Sequence, residues 1–244
     1  MRTIIGVMTL SVGLAMGCAP LSLPNLGGPR VTGSGTVKEE TREVPDFTGV
    51  DIGSSFQAEV MIGPKAPIRI SADDNLLPLV TTEVKNGRLI VGFKDNTTID
   101  TKNPLKVTIT TPKLDFLGAS GAADVTAKVA ASESFEIEAS GASQANVSGI
   151  ETSKLVVKAS GASRMTMAGR AKSAKVELSG ASQIHSKELT TEELHADLSG
   201  ASHGDVQATA SVRADLSGAS SLNVAGNPPK QAVETSGASS ISFK

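Results

Sequence analysis

Serines at a fixed spacing, three histidines and a series of acidic residues are the side chains in these 244 residues with the means to do chemistry. Ser-Gly-Ala-Ser stands at 140–143, 160–163, 179–182, 199–202, 217–220 and 236–239, after a near copy, Ser120-Gly121-Ala122-Ala123. Ser-His-Asp catalysis needs one activated serine beside a base that is itself oriented. Equivalent serines in every copy read instead as a hydroxyl ladder that satisfies turn amides. Aligned on the glycines, His185 shares an outward column with Asn146, Thr166, Asp205 and Asn223. His203 shares another with Gln144, Arg164, Gln183 and Ser221, and His195 falls in a third. Metal ligands must converge, so three columns predict solvated histidines. Phosphate-loop, zinc-motif and calcium-loop signatures are missing. The sequence assigns no catalytic residue, no metal and no cofactor, and predicts a non-enzyme.

The acidic residues are better organised. Glu177, Asp197, Asp215 and Glu234 occupy one outward column, with Lys158 in the equivalent place one copy earlier. Lys175, His195 and Arg213 occupy the column two residues before them. In one reading the opposite charges neutralise each other between copies and keep a flat face soluble. In the other, these seven residues are a rigid polar face for a cell-surface protein, a glycan or a divalent cation. A net charge of −2 with scattered Lys and Arg offers no footprint for nucleic acid. With no Trp, no Tyr and six Phe, the chain has little with which to stack on sugar rings.

The elements that position this face follow from the repeat. From copy to copy the step is 20, 20, 19, 20, 18 and 19 residues, the mark of a repeat architecture. Before each turn, segments such as Phe135–Ala139, Leu155–Ala159 and Leu194–Leu198 mostly alternate apolar and polar residues. After it, Ala145–Val147, Met165–Met167 and Leu222–Val224 do the same. That is the period of a strand with one buried face. Gly121, Gly141, Gly161, Gly180, Gly200, Gly218 and Gly237 mark tight turns needing positive φ. One repeat cannot enclose its own apolar side chains, so successive repeats must coil upon one another with their strands in parallel. The predicted fold is an all-β, parallel β-helix or solenoid of two-sheet coils, about 20 residues per coil, spanning roughly 30 Å at the usual strand spacing. Ala139, Ala159, Leu178, Leu198 and Leu216 form one inward column; Ile137, Val157, Val176, Ala196, Ala214 and Val233 form another. A hairpin sandwich would not need the same tetrapeptide at every turn.

Residues 1–18 read as a secretory signal, with Arg2 ahead of an apolar stretch too short for a comfortable membrane span. Its end, Leu14-Ala15-Met16-Gly17-Cys18, resembles a bacterial lipobox, although Ala15 holds the place where Leu is usual. Cys18 is therefore the expected lipidation site, and the membrane a partner through that anchor. By the same analogy, Ala19 implies an outer-membrane destination. Residues 19–35, rich in Pro and Gly, are expected to form a flexible tether. Residues 36–117 form an irregular N-terminal capping region, and residues 118–244 the regular solenoid. In the capping region, Val50–Phe56 looks like a degraded copy of Val176–Ser182, Asn86-Gly87 signals a hairpin, and Asp74–Leu77 opens a helical turn cut short by Pro78.

Three ordered segments, Val44–Val50, Asp73–Pro78 and Thr82–Leu89, followed by the Ser-Gly-Ala turns, resemble the bacterial head GIN domain family of auto-transporter-adhesin heads. The resemblance covers about residues 36–244. It implies a right-handed two-sheet superhelix similar to pectin-lyase-like proteins, and a cell-surface adhesion role without an agreed ligand or catalytic residues. The expected function is that of an exported, lipid-anchored envelope module for binding or adhesion. The alternatives are a structural envelope protein and a pectin-lyase-like carbohydrate-active enzyme.

Overall fold

In the computed structural model, which describes residues 30–94 and 97–244, the repeats stack as the period requires. On one side of the turn, Phe116–Ala119 pairs in parallel with the end of Ser132–Ala139. The ladder continues through Gln144–Ala159, Arg164–Leu178, Gln183–Leu198 and His203–Leu216 to Lys230–Thr235. On the other side, Asp124–Lys128 pairs with Gln144–Ser148, and that ladder ends at Ser240–Phe243. Both inward columns align in the predicted register, Ile137 on Val157 on Val176 on Ala196 on Ala214 on Val233. All of their members are at most 3% exposed except Val233, which lies in the last coil at 37%.

The return between the two ladders, expected as a short connection, is paired as well. Ile150, Glu151 and Thr152 lie beside Gly169, Arg170 and Ala171 of the next coil. The register slips between Val147 and Ile150, where Gly149 turns the chain with φ 75°. The coils from Gln144 to Leu216 thus carry a third short face, and their strands run unbroken through the bend. Ile150, Thr152 and Ala171 point inward there, enlarging the core beyond the residues that flank the tetrapeptide.

At the tetrapeptide turns the amide of each alanine donates to the glycine carbonyl one coil back, as from Ala162 to Gly141 and from Ala181 to Gly161, both at 2.7 Å. This approach is why the second residue of the turn carries no side chain. A Cβ on Gly161 would sit 2.5 Å from the Gly141 oxygen, at a φ of +73°. The hydroxyls do something other than expected. Ser143 and Ser163 donate to the carbonyls of Ala119 and Ala139, and Ser220 and Ser239 to those of Leu198 and Leu216. Stacked backbone already satisfies the turn amides, so the ladder serves strand-end carbonyls inside the core.

The N-terminal part closes the stack with larger side chains and mixed pairing. Gly49–Ile52 lies in parallel beneath Phe116–Ala119, and Ser54 takes the glycine place with φ 61°. This is the degraded copy predicted from Val50–Phe56. The predicted hairpin is present: Val80–Lys85 pairs antiparallel with Arg88–Phe93 through Asn86 and Gly87, both at positive φ. Pro78 lies inside a 3₁₀ turn, Leu77–Leu79, rather than ending one, because a missing N–H costs nothing in a first turn. Phe56 occupies the column that holds Ala123 and Ser143 higher up, and stacks on Phe93 at 5.3 Å.

Residues 30–35, expected to belong to the tether, lie against the folded part. Arg30–Thr32 is a strand paired in parallel with Thr98–Asp100. Gly35 then donates its amide to Asp73, which is fully buried and also accepts from Asn103 Nδ2, Lys102 N and Thr101 Oγ1. Asn103 is the main cause of a carboxyl held below its ordinary range, against the effect of burial. A Cβ on Gly33 would meet the Asp73 carboxylate at 1.9 Å, so the segment can lie against that clasp only as glycine. The signal segment, Cys18 and residues 19–29 lie outside the described residues.

Candidate functional site

The pre-turn ladder gives the charged face its geometry. Glu138, Lys158, Glu177, Asp197, Asp215 and Glu234 stand in direct register, one per coil, on the outward side of strands whose alternate residues fill the core. Lys175, His195 and Arg213 align in the neighbouring column, as predicted. Continuing that column backwards adds Glu136. Glu136 and Glu138 were missed because the regular run of base and acid two residues apart begins only at Lys175 and Glu177; extending the register by two coils finds both.

Charge pairing runs mainly along each strand, not between coils as expected. Lys175 Nζ meets Glu177 at 2.5 Å, His195 Nε2 meets Asp197 at 3.2 Å, and Arg213 Nε meets Asp215 at 3.7 Å. Residues two apart on a strand share a face, and these short spans suit that geometry. Lys158 instead bridges to Glu136 at 2.7 Å and Glu138 at 2.9 Å on the preceding coil, and Glu136 also meets Arg88 at 3.9 Å. The Lys158 ammonium is held well above the usual lysine range, first by Glu136 and then by Glu138. The Glu136 carboxyl is correspondingly lowered, chiefly by the hydrogen bond from Lys158. Lys175 is raised by its contact with Glu177.

Beside the acidic column, the first serines of the turns form one wall of a groove of about 1020 Å³. Ser140, Ser160, Ser179, Ser199, Ser217 and Ser236 line it along the stack, facing the carboxylates. The groove therefore repeats one hydroxyl and one charged group at every coil. Its acids outnumber its bases, since only Lys158 and Arg213 are cationic among its lining residues.

On the post-turn face the histidines do not stay as separate as their columns suggested. His185 Nδ1 lies 3.2 Å from Asp205, and His203 Nε2 lies 3.5 Å from the same carboxylate. Their rings are 6.1 Å apart, whereas His195 belongs to the groove face. His185 stacks on Asp205 within one column, and His203 stands two residues before Asp205 on the same strand, so this one carboxylate draws the two histidine columns together. Burial raises the Asp205 carboxyl, but the Asn223 amide, His185, Lys187 and His203 outweigh it and bring it down to about 2.

His203 Nδ1 also meets Ser221 Oγ at 2.7 Å, so serine, histidine and aspartate are in sequence here. Ser221 stands in a column whose backbone amides are taken by the ladder, as its own is by Ser202 O, so these amides are not free to hold a reacting oxygen. Gly200-Ala201-Ser202-His203-Gly204 spells G-x-S-x-G, the pattern of an exposed nucleophile at a strand-to-helix turn. Here Ser202 points into the core at 1% exposure, which removes it from any substrate.

Comparison with known proteins gives the same architecture. A "putative adhesin" of Bacteroides fragilis NCTC 9343 superposes with a TM-score of 0.82 at 22% identity, covering 88% of this chain and 100% of its own. A "putative lipid binding protein" of Parabacteroides distasonis ATCC 8503 gives 0.71 at 17%, covering 88% and 100%. A "putative adhesin" of Parabacteroides merdae ATCC 43184 gives 0.65 at 19%, covering 88% and 99%. No curated protein matches the sequence. At such identities the likeness establishes the fold. The family model described as "Putative auto-transporter adhesin, head GIN domain" matches residues 46–228, and with that span the chain belongs to this family.

Proposed function

We propose that this protein is a surface-binding module, an adhesin head whose ligand lies along the groove between the turn serines and the acidic column. One observation carries the reading: a rigid backbone ladder presents a hydroxyl and a charged group on every coil from Ser140 to Ser236. Repetition at about 4.8 Å suits an extended ligand that offers hydrogen bonds and positive charge along its length. Individual contacts of this kind are weak, and affinity comes from many of them on a surface that loses little freedom on binding. Family membership supports adhesion as the class of role. Export and attachment through Cys18 fit that role, since a head domain must be held at the envelope.

The test is the double variant Asp197→Asn, Asp215→Asn, compared with the parent on a glycan array and on bacterial and host cells. Both side chains are outward, so the thermal transition should be unchanged. Binding to the preferred surface should fall several-fold, and more at low salt than at high. Undiminished binding would remove the groove as the site. Processing is tested separately: Cys18→Ser should abolish acyl attachment and release the protein from membranes.

A further inference from the structure

We propose that His195, Asp197 and Asp215 form a binding site for a first-row transition-metal dication, Zn²⁺ being the test ion. Among the described residues this is the one group of three histidine, cysteine or acidic side chains whose ligand atoms lie within 4.8 Å of one another. The backbone sets the arrangement. His195 and Asp197 project from the same side of one strand, and Asp215 is the direct partner of Asp197 on the next coil.

The histidine distinguishes this place from the rest of the face. Along the ladder, Lys175 pairs with Glu177 and Arg213 with Asp215, and these bases hold their protons and act only as cations. Between them stands imidazole, which without its second proton is a metal ligand. His195 Nε2 lies 3.2 Å from Asp197 Oδ2. Two ligands on a tetrahedral zinc, each about 2.0–2.1 Å from it, are about 3.3 Å apart. The imidazole nitrogen and the carboxylate already have that bite. Asp215 completes three protein ligands by a small rotation of its side chain, and water fills the open position. Nitrogen with two oxygens favours Zn²⁺ and its neighbours over Ca²⁺, which wants six or more oxygens. Arg213 is the opposing group. It approaches Asp215 at 3.7 Å from its Nε, and its side chain is largely exposed, so it can swing into water as the metal enters.

The site stands on its own geometry and does not depend on adhesion. Zn²⁺ is titrated calorimetrically into the full chain, with no surface present, so the outcome is separate from that of the binding assay. The parent should take up one equivalent. His195→Gln should weaken it by about tenfold or more, Asp215→Asn should weaken it less, and His203→Gln on the other face should leave it unchanged. Co²⁺ in place of Zn²⁺ should give visible absorption bands that His195→Gln removes. The proposal is overturned if the parent takes up no Zn²⁺, if His195→Gln titrates like the parent, or if His203→Gln loses as much as His195→Gln.

Discussion

The two halves of the solenoid solve the same packing problem with different residues. One buried column passes through both: Leu105 and Phe56 in the capping part, then Ala123, then Ser143, Ser163, Ser182, Ser202 and Ser220 in the repeats. In the capping part, where parallel and antiparallel strands mix, large side chains fill the interior, and Phe56 stacks on Phe93. Inside the stack each coil is covered above and below. A small hydroxyl then fits, and it adds a second hydrogen bond to a strand-end carbonyl already paired with the next coil. The turns differ in the same way. Gly180 lies between two other glycines and has backbone on its inner side, whereas Ser54 lies in the first tight turn and has space for a side chain. Regularity is thus imposed by like neighbours on both sides, and relaxes where a neighbouring strand does not repeat the turn.

Changing that column and those turns separates the halves. Phe56→Ala should have the largest effect, lowering stability in urea by about 3–5 kcal/mol. Ser182→Ala, in the same column, should cost about 1 kcal/mol. Similar losses at the two positions would mean that the cap is no more dependent on bulk than the repeats.

Next come the turns. Gly180→Val should cost about 1–3 kcal/mol from backbone strain alone, and its Cβ would also press on the Gly161 oxygen at 2.6 Å. Ser54→Gly should leave thermal stability equal or higher, because a serine at φ 61° is already strained. A Gly180→Val protein that melts with the parent would show the turn to be looser than its neighbours indicate.

Acid should act on the repeats through Asp205. Its carboxyl is lowered to about 2 in the folded protein, by Asn223, His185, Lys187 and His203 against burial, from about 3.9 in an unfolded chain. A depressed acid stabilises the fold fully above the unfolded value, and that contribution is lost as pH falls from about 4 to about 2. Asp205→Asn should therefore flatten the acid limb of stability between those values while leaving the limb above pH 5 parallel to the parent's. An unaltered acid limb would assign the effect to other carboxylates.

The smallest effect is expected at Ser202, whose buried hydroxyl has no hydrogen-bond partner among the described residues. Ser202→Ala should be neutral or slightly stabilising, within about 0.5 kcal/mol, unlike Ser182→Ala. A clear loss in both would indicate that the hydroxyl is satisfied in solution.

The sequence by itself determined the coil length, the parallel stacking, both inward columns and the order of charges on the outward face. Each follows from two local rules, the alternation of strands and the demand of a tight turn for glycine, applied at a constant period. Even Val50–Phe56 was recognisable, because its apolar spacing survives after the glycine is lost. Only the tertiary structure decided the third paired face, since Ile150 and Thr152 share no alternating run with the strands on either side of the tetrapeptide. It likewise decided the folding of Arg30–Gly35 onto Asp73, a contact between segments about forty residues apart that no periodicity announces. The approach of the His185 ring to that of His203 belongs to the same class. A column says which residues stack, but diagonal contacts depend on side-chain reach between coils, and that exists only once the coils are laid side by side.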